Sequence, residues 1–146
     1  MGAKSLIRPA SSLYDEDFVA WTAQTARLLR VGRFDQIDTE QLAEEIEEIG
    51  KSNQRELESR LTAILVHLLK RSGSWQSSLI TQRAEVLKLL KQSPSLRRTL
   101  PNAVDEVYPT AVRKAAAETG LSAKVLRPDC PFSMEQILDQ DFLPEP

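Results

Sequence analysis

The sequence predicts an all-α protein, a single-domain helical bundle of four main helices and a short C-terminal helix. Apolar residues recur at helical spacing along most of the 146-residue chain, and no stretch shows the sustained alternation of a half-buried strand. With 41% hydrophobic and 27% charged residues, the chain has the composition of an ordinary soluble domain with a core. We expect residues 1–12 to be a flexible segment and residues 13–143 to form the domain.

The first two helices are predicted over 12–31 and 39–71. Gly32 follows the first in a position suited to a left-handed C-cap, and Thr39 is the predicted N-cap of the second. The second helix carries one apolar stripe that keeps its phase across Gly50. A straight helix of this length would run ~50 Å, beyond the ~40 Å breadth of a compact domain, so it overhangs the bundle or bends at Gly50. The stripe consists of Leu42, Ile46, Ile49, Leu57, Leu61, Ile64, Leu65 and Leu68.

A turn at Ser72–Ser74 separates the second helix from a third, predicted over 75–92. The fourth helix is predicted to begin at Pro94, with Ser93 as its N-cap, and to end at Gly120.

Two prolines interrupt the fourth helical pattern. Pro101 and Pro109 each lack a backbone donor and clash one turn back, so we expect a break or kink near each. After Gly120 the composition changes, and the spacing of Ser133 and Gln136 predicts a capping box that opens the short last helix.

The residue counts exclude several classes of site. One cysteine, Cys130, rules out an intramolecular disulfide, and one histidine, His67, rules out most histidine metal sites, so we expect no bound cofactor. The first ten residues contain no apolar segment typical of a signal peptide, and no stretch is apolar enough to span a membrane. The cytoplasm is the predicted location.

Charge is segregated along the chain although the net charge is −2. Residues 35–58 hold nine acidic and two basic side chains, a net charge of −7, whereas residues 59–92 hold six basic and one acidic, a net charge of +5. Either the chain presents an acidic and a basic functional face, or acids and bases follow the dipole of the long second helix. The second interpretation is favoured.

Three sets of residues are candidates for chemistry. His67 is the natural candidate for acid–base catalysis, although it lies on the flank of its helix, where a histidine commonly packs at the core boundary. Glu44, Glu45 and Glu48 could hold a hard cation, but a solvated acidic face explains them better. No motif supplies Cys130 with an activating base.

A basic region over residues 60–98 is the main argument for nucleic-acid binding, with Arg83, Lys88 and Lys91 as the predicted phosphate contacts. The sequence pI of about 5.5 and the scarcity of aromatic residues count against this alternative.

Short segments follow one another in a definite order over residues 13–144, among them Leu42-Ala43-Glu44-Glu45-Ile46, His67-Leu68-Leu69-Lys70 and Asp141-Phe142-Leu143-Pro144. Their order and spacing resemble those of the bacterial proteins of domain-of-unknown-function family twenty-nine. The resemblance implies an all-helical single domain and no known activity. It marks His67, Lys70 and Glu44-Glu45 as motif positions, and Pro101 and Pro109 depart from the family pattern. The segments are Leu13-Tyr14, Asp17-Phe18, Trp21, Leu29, Gly32, Phe34, Asp38, Leu42-Ala43-Glu44-Glu45-Ile46, Ile49-Gly50, His67-Leu68-Leu69-Lys70, Ser74-Trp75, Ser93-Pro94-Ser95-Leu96, Thr119-Gly120-Leu121, Cys130-Pro131 and Asp141-Phe142-Leu143-Pro144.

These observations favour a non-enzymatic protein-interaction or regulatory module, which binds a partner or a second copy through its helix faces. Nucleic-acid binding by the basic region is the alternative. A hydrolase or metal-dependent enzyme centred on His67 is the weakest of the three hypotheses.

Overall fold

The computed structural model describes residues 10–71 and 76–145, and these residues form an all-α structure without strands. Four long helices and a short C-terminal helix confirm the predicted fold class. The predicted turn at Ser72–Ser74 and the predicted helix start at Trp75 lie outside the described residues. The α-helices are α1 (Ala10–Glu16), α2 (Phe18–Arg30), α3 (Thr39–Lys70), α4 (Gln76–Gln92), α5 (Leu100–Thr119) and α6 (Met134–Leu138), with 3₁₀ turns at Phe34–Gln36, Pro94–Thr99 and Ala123–Val125.

The predicted first helix is divided into α1 and α2 at Asp17. This residue has extended backbone angles (φ −149°, ψ 90°), and its side chain accepts a hydrogen bond of 3.0 Å from the backbone N–H of Ala20. Asp17 therefore acts as the N-cap of α2 and ends the preceding turn of helix. Gly32 has φ +77° just beyond α2, as its predicted role in a left-handed cap requires.

Helix α3 continues through Gly50, as the phase of its apolar stripe predicted. Its N-cap is Asp38 rather than the predicted Thr39. The Asp38 carboxylate accepts a 3.1 Å hydrogen bond from the backbone N–H of Gln41, while Thr39 is already helical. Aspartate and threonine are both good capping residues, and the backbone position decides between them.

The two prolines of the fourth pattern behave differently. Pro101 stands in the first turn of α5, where its missing N–H costs nothing, and the chain before it is a 3₁₀ turn that Ser93 does not cap. A break or kink was predicted near Pro109, and the helix does not break there, because α5 continues to Thr119. Pro109 and Asp105, whose carbonyl loses its helical donor, are both exposed, so water can replace the missing hydrogen bond.

The chain divides into two compact units, residues 1–50 and 51–146. In the first unit, Trp21, Thr25 and Leu28 are buried. The Trp21 ring lies edge-on to Tyr14, with centroids 4.9 Å apart, and stacks on Phe18 at 5.6 Å. A small aromatic cluster thus holds α1 against α2.

The second unit has a continuous core built from one face each of α3, α4, α5 and α6. A fully buried side chain, Arg83 of α4, joins this core to the C-terminal segment. Its guanidinium donates hydrogen bonds to the backbone carbonyls of Gln136 (2.9 Å), Ile137 (2.8 Å) and Phe142 (2.9 Å). A buried guanidinium with three acceptors fixes the path of α6 and the residues after it.

Candidate functional site

His67 lines a pocket of about 250 Å³ between α3 and α5 of the second unit. The acidic side chain near it is Glu118 of α5, and not the carboxylates of Glu44, Glu45 and Glu48, which belong to the first unit. Glu118 accepts a 2.8 Å hydrogen bond from the Nζ atom of Lys70, whose side chain is only 6% exposed. That bond lowers the pKa of Glu118.

Burial lowers the pKa of His67, and the nearby charge of Lys70 lowers it further, while Glu118 opposes both effects. The imidazole is therefore held towards its neutral form. Neither hydroxyl of the pocket is placed to act as a nucleophile that the imidazole could activate. Thr62 donates its hydroxyl to the carbonyl of Glu58 (2.8 Å), and Ser59 lies eight residues from His67, which is about 12 Å along a helix.

The predicted metal candidates are on the first part of α3. The Glu45 carboxylate accepts a hydrogen bond from the Tyr14 hydroxyl, which raises the pKa of Tyr14 to about 12. Glu44 and Glu48 are exposed. Within residues 10–71 and 76–145, no three His, Cys, Asp or Glu side chains are grouped so that they could hold a metal ion. In the same ranges no helix is long and apolar enough to cross a membrane.

The structure corrects the predicted set of phosphate contacts. Lys88 and Lys91 are exposed on α4, but Arg83 is fully buried and holds three backbone carbonyls, so a phosphate cannot reach it. The sequence contained a signal for this burial. Arg83 falls on the same face as Leu79, Val86 and Leu90, at the i, i+4, i+7 and i+11 positions of an apolar stripe.

The most prominent surface feature of the first unit is a set of large apolar side chains that the sequence pattern had assigned in part to a core. We call them the first-unit apolar set. Ile46 and Ile49 of α3 are 60% and 63% exposed, although they continue the stripe that is buried later in the same helix. The set comprises Phe18, Val19, Leu29, Val31, Phe34, Ile46 and Ile49.

Two members of the first-unit apolar set, Ile46 and Ile49, lie in an acidic stretch of sequence. Residues 35–50 contain seven acidic side chains and no basic one. At 100° per residue, Leu42, Ile46 and Ile49 share one face of α3, with Glu45 about 70° from the centre of that face and Glu47 and Glu48 about 130° from it. The exposed Ile46 and Ile49 therefore lie in a segment of strong negative charge, which suits a partner that is apolar and basic.

Comparison with known proteins agrees with the resemblance drawn from the sequence segments. The family model described as "Domain of unknown function DUF29" matches residues 13–143, nearly the whole chain. No curated protein and no solved structure matches the chain. The chain therefore belongs to the DUF29 family, whose fold in this member is the helical arrangement described above.

Proposed function

We propose that this protein is a non-enzymatic protein-interaction module that binds its partner through the first-unit apolar set. The single observation that carries the proposal is the exposure of Ile46 and Ile49 on α3. Fully burying an isoleucine side chain contributes about 1.5–3 kcal/mol. A partner that covers both isoleucines removes their apolar surface from water and thereby gains affinity. Exposed contiguous apolar surface commonly marks an interaction site.

The partner that fits this face is an amphipathic helix with an apolar stripe and basic flanks. Its apolar side chains would pack on Leu42, Ile46 and Ile49, and the seven acidic side chains of residues 35–50 would attract its Lys and Arg residues. Pairing of this face with the same face of a second copy would instead bring together two segments with seven acidic side chains each. Charge repulsion disfavours that homodimer.

Site-specific photo-crosslinking tests the proposal. A photoreactive residue at position 46 should capture a protein in native extract, whereas the same residue at position 80 should not, because Ile80 is 48% exposed but belongs to α4 of the second unit. The double substitution Ile46→Ser and Ile49→Ser should reduce capture at least about tenfold, the effect of losing roughly 1.4 kcal/mol of binding energy. The matched substitution Ile80→Ser should leave capture unchanged.

Nuclease treatment and a basic-region variant separate the proposal from nucleic-acid binding. Capture that survives nuclease and the Lys88→Ala, Lys91→Ala double substitution supports a protein partner. Capture that is lost under either condition, and that falls steeply with salt, supports the nucleic-acid alternative, for which the exposed Lys88 and Lys91 are the remaining predicted contacts. The cytoplasmic location and bacterial origin remain predictions from the sequence.

A further inference from the structure

The second unit contains a pocket of about 700 Å³, separate from the His67 pocket, which we call the α5 pocket. One wall is a face of α5 that carries Val104 and Tyr108, and the other is formed by residues 128–137, including Phe132 and Met134. The volume falls within the range of about 300–1,000 Å³ that is usual for small-molecule sites.

Hydrogen bonds fix the position of both walls of the α5 pocket. The buried Tyr108 donates its hydroxyl to the carbonyl of Arg127 at 2.7 Å, which ties the start of the facing segment to α5. A capping box between Ser133 and Gln136 opens α6, and Arg83 binds the carbonyls of Gln136 and Ile137. The pocket is therefore formed before any ligand arrives, which reduces the entropic cost of binding.

Two carboxylates from different elements face this apolar space. Asp105 comes from α5 and Asp129 from the facing segment, and both line the pocket. Both negative charges act on groups that line the pocket. Burial raises the pKa of Cys130, and the charge of Asp105 raises it further. Burial likewise raises the pKa of Tyr108, and the charge of Asp129 adds to that effect.

Arg127 is the opposing charge. It lines an adjacent recess of about 430 Å³, which shares Asp129 and Cys130 with the α5 pocket, but it does not line the α5 pocket itself. A ligand in the α5 pocket thus meets aromatic and aliphatic walls and two negative charges. This chemistry suits an organic cation, whose alkyl part packs on Tyr108 and Phe132 while its charged end lies between the carboxylates.

We propose that the α5 pocket binds an alkylammonium or alkylguanidinium group. Such a group occurs both in free amines and in the lysine and arginine side chains of a peptide. The proposal does not depend on the first-unit apolar set, since every residue that carries it belongs to the second unit.

Cys130 makes the proposal testable, because it is the only cysteine of the chain and lines the pocket. The rate at which methyl methanethiosulfonate, a small neutral reagent, modifies the Cys130 thiol should fall saturably on addition of hexylguanidinium. At equal ionic strength, hexanol and hexanoate should protect much less. Adding 1,6-diaminohexane or a blocked lysine-containing peptide as further arms distinguishes a free amine from a peptide side chain.

Charge-neutralising variants identify the carboxylates as the source of selectivity. Asp105→Asn and Asp129→Asn should each weaken binding by about threefold, the size of one partly exposed ion pair, and together by about tenfold. Asp35→Asn, an exposed position in the first unit, is the matched control and should have no effect. Shifts of the Met134 methyl NMR signal give a second readout that does not require thiol reactivity.

Two results would overturn the proposal. One is equal protection by the cation, the alcohol and the anion, which would show an apolar recess without charge selectivity. The other is the absence of both protection and a Met134 shift at millimolar hexylguanidinium. Loss of selectivity in the double variant with unchanged thermal stability would support it.

Discussion

The two halves of α3 carry the same apolar stripe and expose it in opposite ways. In the first unit, Ile46 and Ile49 are mostly exposed, whereas Leu57, Leu61 and Ile64 of the second unit are fully buried. The helix is continuous between them, and the spacing of the apolar residues does not change. The difference therefore lies in what surrounds each half of the helix.

The surroundings of the two halves differ in the number and length of packed elements. The first unit supplies α1, with seven residues, and α2, with thirteen, to cover its apolar residues. The second unit supplies α4, α5 and α6, and the C-terminal segment held by Arg83. The comparison indicates that stability resides mainly in the second unit, while the first unit leaves a larger share of its apolar side chains exposed.

Removal of the Arg83 guanidinium should have the largest effect on the second unit. Arg83→Met keeps the volume of the side chain but leaves three backbone carbonyls without their donor. We expect the free energy of unfolding to fall by about 3–5 kcal/mol, because buried polar groups that lose their partner are costly. Urea unfolding followed by circular dichroism measures this loss.

Arg98→Met is the matched control for this prediction. Arg98 is exposed, so the same substitution should change the free energy of unfolding by less than about 0.5 kcal/mol. A loss below about 1 kcal/mol for Arg83→Met would mean that water can satisfy the three carbonyls. In that case Arg83 would not be what fixes the C-terminal segment.

Two isoleucines on α3 test the comparison directly. Ile64 is fully buried in the second unit and Ile46 is 60% exposed in the first. Ile64→Ala should lower the free energy of unfolding by about 2–5 kcal/mol, and Ile46→Ala should change it by no more than about 0.5 kcal/mol. Because both substitutions exchange the same residues within one helix, helix propensity cancels in the difference.

Equal losses for Ile46→Ala and Ile64→Ala would contradict the comparison. That result would show that the first part of the α3 stripe is covered in the free protein. The interaction proposed for Ile46 and Ile49 would then lose its basis, whereas the proposal for the α5 pocket would be unaffected.

Helical periodicity predicted the fold class and the continuity of α3, because it reports which residues share a face. It could not predict that Ile46 and Ile49 are exposed, because it does not report what covers that face. The same limitation explains the extra break at Asp17. Nothing in a repeating pattern distinguishes an acidic residue in the first turn of a helix from an N-cap that divides two helices.

For the candidate sites too, the sequence predicts features that depend on neighbouring residues but not contacts between distant parts of the chain. The position of Arg83 on an apolar stripe was readable from the sequence, but its positive charge suggested the surface. The contact of Lys70 with Glu118 joins residues 48 positions apart, and no local signal connects them. The α5 pocket likewise depends on residues 128–137 folding back over α5, which only the tertiary structure shows.

The smallest predicted effect is a pH dependence that belongs to the second unit, which contains the only histidine of the chain. Because burial lowers the pKa of His67, the unfolded state binds more protons, so stability should decrease as the pH falls below about 6.5. Replacing His67 by Asn should flatten the dependence of the urea midpoint on pH between 7 and 5.

The Lys70–Glu118 pair should contribute only at lower pH, since the lowered pKa of Glu118 keeps that carboxylate charged throughout this window. Glu118→Gln should steepen the slope, because the charge that opposes the lowering is removed. Identical slopes in wild type and His67→Asn would show that the imidazole is not held in its neutral form by the second unit.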